Sequence, residues 1–103
     1  MIAELVFLPL PSGCGRAQAM ALYRQSAVGW RDNPDLLEKF YVHDPGTGTG
    51  GGIYLWPDAA SAERWHGPDY RDRSLRLYGA APERRVLDVL MRVHPGKELI
   101  EEM

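Results

Sequence analysis

The run GTGTGGG at residues 46–52 forces a choice of fold before anything else in the sequence does. By spacing, Gly46, Gly48 and Gly51 satisfy the G-x-G-x-x-G pattern of dinucleotide-binding loops. That pattern works because its glycines sit between a strand and a helix N-terminus, whose free N–H groups and dipole hold the pyrophosphate. Here the glycines follow one β-rich stretch, DLLEKFYVH (35–43), and lead into another, GIYLW (52–56). No Gly-Lys-Ser/Thr follows, so a P-loop is excluded as well. With Asp44-Pro45-Gly46 opening a turn, residues 44–51 are expected to form a hairpin connection, with glycines tolerating positive φ and a bulge. The chain is thereby steered away from a doubly wound nucleotide fold and toward an antiparallel sheet.

The flanking segments complete the order. IAELVFL (2–8) is a β-rich apolar run ending at Pro9, and PLPSGCG reads as a loop. From Arg16 to about Trp30, Ala17, Met20, Tyr23, Ala27 and Trp30 recur at helical spacing, and Asn33-Pro34 stops the helix. Asp58 is an expected N-cap for a second helix, interrupted near Gly67-Pro68 and closed by Gly79. RRVLDVLMRVH (84–94) is expected to be one last strand, followed by a short acidic tail. The sum is a single α+β domain over residues 1–103, ferredoxin-like in its β-α-β-β-α-β order, with two helices on one face of an antiparallel sheet. Large side chains stand on both faces of the strands, Phe40 against Tyr41, Tyr54 against Leu55, and Leu90 against Met91. A sheet with one face in water alternates more cleanly than this. A second copy of the chain packed on the free sheet face, giving a homodimer, is the economical cover.

The totals narrow the function classes. A net charge of −2 argues against a nucleic-acid surface. The single cysteine, Cys14, forms no internal disulfide, and no apolar run reaches the roughly 20 residues of a membrane span. The opening MIAELVFLPLP has no basic region of a signal peptide. A cytoplasmic protein with no membrane or nucleic-acid partner is expected.

The run LLEKFYVHDPGTGTGGGIYLWPD (36–58) resembles the YdhR-like monooxygenases. These belong to the dimeric α+β-barrel superfamily that includes the antibiotic-biosynthesis monooxygenases. The family pattern of Leu-Leu-x-Lys-x-aromatic, an Asp/Asn-Pro turn, then Gly-Gly-Ile-Tyr-Leu-aromatic and an acidic residue is met by Leu36, Leu37, Lys39, Tyr41, Asp44-Pro45, Gly51 to Trp56 and Asp58. Glu38 departs from it, standing where family members often carry Trp. The resemblance implies a dimeric barrel and cofactor-independent oxidation of an aromatic or polyketide-like small molecule. Alternatives on the same fold are a cyclase or isomerase working by proton transfer, and a non-catalytic small-molecule-binding stress-response module.

In such a reaction the substrate supplies the electrons, so no cofactor and no metal is expected; the protein removes a proton and holds the anion in a dry pocket. His66, in RWHGPDY, is the first candidate for the base, since an imidazole titrates near neutrality. A helix-end histidine also serves simply to cap carbonyls. Tyr41 and Tyr54 are expected as hydrogen-bonding walls with catalytic contact, and Trp65, Trp56, Tyr70, Arg73 and His43 as substrate-binding residues. The bland reading of the aromatic set is core and dimer interface. His43, His66 and His94 share no metal-ligand spacing.

Overall fold

The computed structural model describes all 103 residues, the side chains of Leu77 and Tyr78 excepted. The elements are β1 (Ile2–Pro9), α1 (Arg16–Arg31), β2 (Glu38–Asp44), β3 (Thr49–Trp56), α2 (Ala59–His66), α3 (Pro68–Tyr78), β4 (Glu83–Asp88), β5 (Met91–His94) and β6 (Leu99–Glu102). A four-stranded antiparallel sheet runs in the order β2-β3-β1-β4, as a ferredoxin-like arrangement requires, and β5 and β6 pair as a separate hairpin.

Three expectations are corrected. The last strand breaks at Val89-Leu90, where Val89 N–H donates to the Met1 carbonyl and the chain turns out of the sheet as β5. The tail is not a loose end: Gly96 at φ +77 makes the turn, and Leu99–Glu102 pairs back on β5 as β6. Both events add elements beyond β-α-β-β-α-β. Thr49, Gly50 and Gly51 belong to β3 with Gly52 and not to the loop, which shrinks to Pro45–Gly48.

Local chemistry explains most element ends. Asp58 caps α2 by accepting from the Ser61 N–H and hydroxyl at 2.8 Å each. Gly67 leaves the helical region at ψ −157 and separates α2 from α3, a Cβ there would lie 2.4 Å from the Glu63 carbonyl oxygen, and Pro68 starts α3 without needing a donor. Gly79 closes α3 in the left-handed region at φ +72.

The alternation along β1 sets the two faces. Ile2, Glu4 and Val6 are buried beneath the helices with Tyr54, Trp56 and Ala62, and Trp30, Leu36 and Tyr70 pack around this core. Leu5, Phe7, Ile53 and Leu55 alternate with the buried positions and stay half-buried on the opposite face, joined there by exposed Phe40 and Leu87. One face of the sheet therefore carries an apolar patch, flanked by Glu38 on β2 and by Glu83 and Arg85 on β4, that is uncovered within the chain. No helix is long and apolar enough to cross a membrane.

Candidate functional site

The glycines of β3 organise the helix-facing side of the sheet. A Cβ on Gly50 would lie 2.2 Å from the Tyr23 hydroxyl. That hydroxyl donates to the Val42 carbonyl at 2.7 Å and accepts from the Gly51 N–H at 3.1 Å, so a phenol from α1 is inserted into the β2–β3 ladder where Val42 faces Gly51. Gly51 runs at φ +157 with its Cα hydrogen against β1; a Cβ there would sit 1.8 Å from the Val6 carbonyl oxygen. Gly52 clears a third space: a Cβ would meet the Tyr54 ring at 2.8 Å and Lys39 Cε at 3.0 Å. The run serves close packing and leaves a path for the Lys39 side chain.

Lys39 lies on β2 opposite Tyr54, on the helix-facing side. Its stem crosses Gly52, and its Nζ stands 4.3 Å from the Trp30 ring centroid, 3.9 Å from Tyr41 and 4.5 Å from Tyr54. Among the described residues no carboxylate forms an ion pair with it. Burial pulls its pKa down from the usual 10.5 to about 7, and the electron-rich ring faces oppose that pull. The amine lines a cavity of about 280 Å³ between α1 and β2, walled by Ala27, Trp30, Leu36, Leu37 and Tyr41, with Arg31 and Glu38 also in the wall. A second cavity, of about 340 Å³, lies toward the start of α1 and includes Arg16, Met20, Tyr23 and His43. Tyr41 lines both. Its hydroxyl is 2.6 Å from the Ser26 hydroxyl, and its ring stacks on Tyr23 at 4.5 Å.

His66, the expected base, lies apart from the two cavities. Its side chain is fully buried. Tyr54, Tyr70, Trp30 and Trp56 surround the ring at centroid distances of 4.5, 4.7, 5.4 and 6.0 Å. Its Nδ1 lies 2.6 Å from Glu4 Oε1; a carboxylate only accepts, so Nδ1 carries the proton of that bond. Nε2 is buried without a hydrogen-bond partner among the described residues, as is Nε2 of His43.

Glu4 is the hub beneath this ring. It is 0% exposed and accepts from His66, from Trp56 Nε1 at 2.9 Å, and from Arg84 Nε at 2.5 Å. Burial pushes its pKa up, but the hydrogen bonds from His66, Arg84 and Trp56 outweigh it and hold the carboxyl below its usual range. Arg84 also reaches Glu63 at 2.8 Å.

The remaining expected site residues separate into three groups. Tyr54 and Trp56 are core; burial raises the Tyr54 pKa, which keeps its phenol protonated. Trp65 and Arg64 both donate to Asp35 Oδ2, at 2.9 and 2.7 Å, and pin α2 to the segment before β2. Arg73 is exposed, its guanidinium 5.7 Å from the Tyr70 ring centroid. Of the expected set, then, Tyr41 and His43 line cavities, and Tyr54 joins them through its contact with Lys39. Lys39 stands outside the expected set. Its signal was present, a lone lysine on the strand face shared with Tyr41 and His43, directly in the motif run. Among the described residues no three His, Cys, Asp or Glu side chains gather as a metal-binding group. Comparison of the sequence with protein-family models and with curated proteins gave no match.

Proposed function

We propose that the chain is a YdhR-like, cofactor-independent monooxygenase of the dimeric α+β-barrel type, acting on a small aromatic or polyketide-like molecule with Lys39 as the base. The observation that carries this reading is the Lys39 amine: poised near neutrality, unpaired with a carboxylate, and set among aromatic faces on a cavity wall. The cavity volume of about 280 Å³ falls just below the roughly 300–1,000 Å³ of ligand pockets, which suits one small molecule.

In the first step the neutral amine takes the acidic proton of an anthrone-like carbon acid or a phenol, and the new ammonium stays beside the substrate anion. The anion gives one electron to molecular oxygen. Superoxide and the substrate radical combine to form a C–O bond, and the peroxide anion recovers the proton from Lys39. Loss of water from a C–H hydroperoxide leaves a carbonyl, so one oxygen atom enters the product and the other leaves as water. Tyr41 and Trp30 supply the walls. His66 acts at one remove: with Glu4 it fixes Tyr54, whose ring meets Lys39.

The uncovered apolar sheet face supports the homodimer in this reading, since Leu5, Phe7, Phe40, Ile53, Leu55 and Leu87 form a patch that one chain leaves in water. The test is mass spectrometry of products from purified protein with anthrones and hydroquinones, under air and under nitrogen, with no added cofactor. An oxygen-dependent +14 product, the second oxygen atom leaving as water, is expected from an anthrone (to the quinone) or from a hydroquinone (to the hydroxyquinone), and Lys39→Met abolishes it. Turnover that ignores oxygen replaces the oxygenase by a cyclase or isomerase; no product from any compound overturns the enzyme reading.

A further inference from the structure

The same cavity carries a second chemistry that needs no oxygen. A desolvated lysine among apolar walls is set up as a nucleophile as well as a base, because its lone pair is free when the ammonium is disfavoured. Aromatic faces add a reason for planar, conjugated partners, which stack where an aliphatic aldehyde finds no complement. Lys39 meets these conditions through its position: the stem is threaded over Gly52, Nζ lies within 4.5 Å of three ring centroids, and the cavity reaches it. Trp30 from α1, Tyr41 from β2 and Tyr54 from β3 face it, and the charged groups Arg31 and Glu38 stand elsewhere on the cavity wall. Arg31 is paired with its neighbour Asp32 at 3.1 Å.

We propose that Lys39 forms a Schiff base with aromatic aldehydes and conjugated ketones that enter the cavity between α1 and β2. The inference rests on the placement of Lys39 that the oxygenase reading also uses, but not on oxygenation. The amine lone pair adds to the carbonyl carbon and the C=O π pair moves to oxygen. Proton transfer from nitrogen to oxygen gives the carbinolamine. Water then leaves with the C–O bond pair, the nitrogen releases its second proton, and a C=N bond remains; no oxidation or reduction takes place.

The sequence makes the test clean, because the chain has two lysines and the other, Lys97, is exposed in the β5–β6 turn. Purified protein is incubated at pH 7 with benzaldehyde and sodium cyanoborohydride, which reduces the imine to a stable benzylamine, and the labelled lysines are located by peptide mass spectrometry. An amine titrating near 7 is half neutral at that pH, against about one part in 2,500 for an ordinary lysine near 10.4. Allowing for the lower intrinsic nucleophilicity of the less basic amine, Lys39 labels on the order of 100-fold faster than Lys97. In Lys39→Arg, checked for native tryptophan fluorescence, the fast label disappears and Lys97 is labelled as before. Equal rates at the two lysines, or label on Lys97 alone, overturn the proposal. Fast trapping without any oxygen-dependent product leaves this inference standing and removes the oxygenase; a Lys39-dependent oxygenation without trapping does the reverse.

Discussion

Replacing Glu4 by Gln tests whether the buried charge network holds the helices to the sheet. Glu4 is fully buried, and its two oxygens receive three donors: Trp56 Nε1 and His66 Nδ1 on Oε1, and Arg84 Nε on Oε2. A glutamine of the same shape keeps its carbonyl oxygen for Trp56 and His66, but its amide then presents N–H to the Arg84 guanidinium, donor against donor. A hydrogen bond to a charged group contributes about 1.5–3 kcal/mol, and breaking a buried ion pair costs about 3–5 kcal/mol. Arg84 keeps Glu63 and is 22% exposed, so part of its charge remains solvated, and a loss of roughly 3 kcal/mol is expected. For a chain of this length that lowers Tm by roughly 10–25 °C and the urea midpoint by on the order of 1.5 M. Urea unfolding followed by tryptophan fluorescence, at one fixed protein concentration so that any dimer contributes equally, measures it. The acid limb gives an independent reading. Because the folded pKa of Glu4 is depressed, its contribution is full above the unfolded carboxyl value near 4.5 and is lost as pH falls through the folded value. Wild type therefore loses stability below about pH 4.5 more steeply than Glu4→Gln. A loss under about 1 kcal/mol, or identical acid slopes, would refute the reasoning.

Three other outcomes are expected. Gly51→Ala puts a Cβ 1.8 Å from the Val6 carbonyl oxygen and forces β1 and β3 apart, so it should cost over about 4 kcal/mol or prevent folding, as read by circular dichroism; a stable, native-like variant would contradict the close approach. Leu55→Glu places a charge at the middle strands of the apolar sheet face and should convert a dimer to monomer in sedimentation analysis while the fold survives; an unchanged mass would mean that the face is not the interface. Lys39 binds a proton more weakly when folded than unfolded, so its contribution makes stability rise with pH between about 7 and about 10; Lys39→Met should lack that rise in a pH series of urea midpoints, and parallel curves would count against burial of the amine.

Much of the fold was legible because it is written in local signals: the strand runs, the helical spacing of α1, the Asp58 cap and the Gly67-Pro68 break each have a short-range cause. The glycine run belongs to a hairpin, as its turn residues indicate, but Gly50 and Gly51 join Gly52 in the strand. A glycine triplet inside a strand looks like loop in sequence, and only the neighbours that approach it, the Tyr23 hydroxyl, the Val6 carbonyl and the Lys39 stem, show why no side chain fits. The C-terminal hairpin was hidden because Leu99-Ile100 is a very short apolar run among acidic residues, and its pairing with β5 depends on the turn at Gly96. The site was least legible. His66 drew attention by residue type, yet its helix-end position turns it inward against Glu4, a residue 62 positions away whose burial no local pattern announces. Lys39 stood in plain view as an ordinary strand lysine. Its surroundings come from Trp30, Tyr41 and Tyr54 converging from three elements, which spacing along the chain does not reveal.

The most direct measurement is an NMR titration of the chain carrying 13Cε-labelled lysine, in which two signals are expected and Lys39→Arg assigns them. The Lys39 signal is expected to titrate near pH 7 and to move on addition of an aromatic ligand that fills the cavity. Both signals titrating together near the ordinary lysine value of about 10.4 would contradict this expectation, and with it the base and the nucleophile assigned to Lys39.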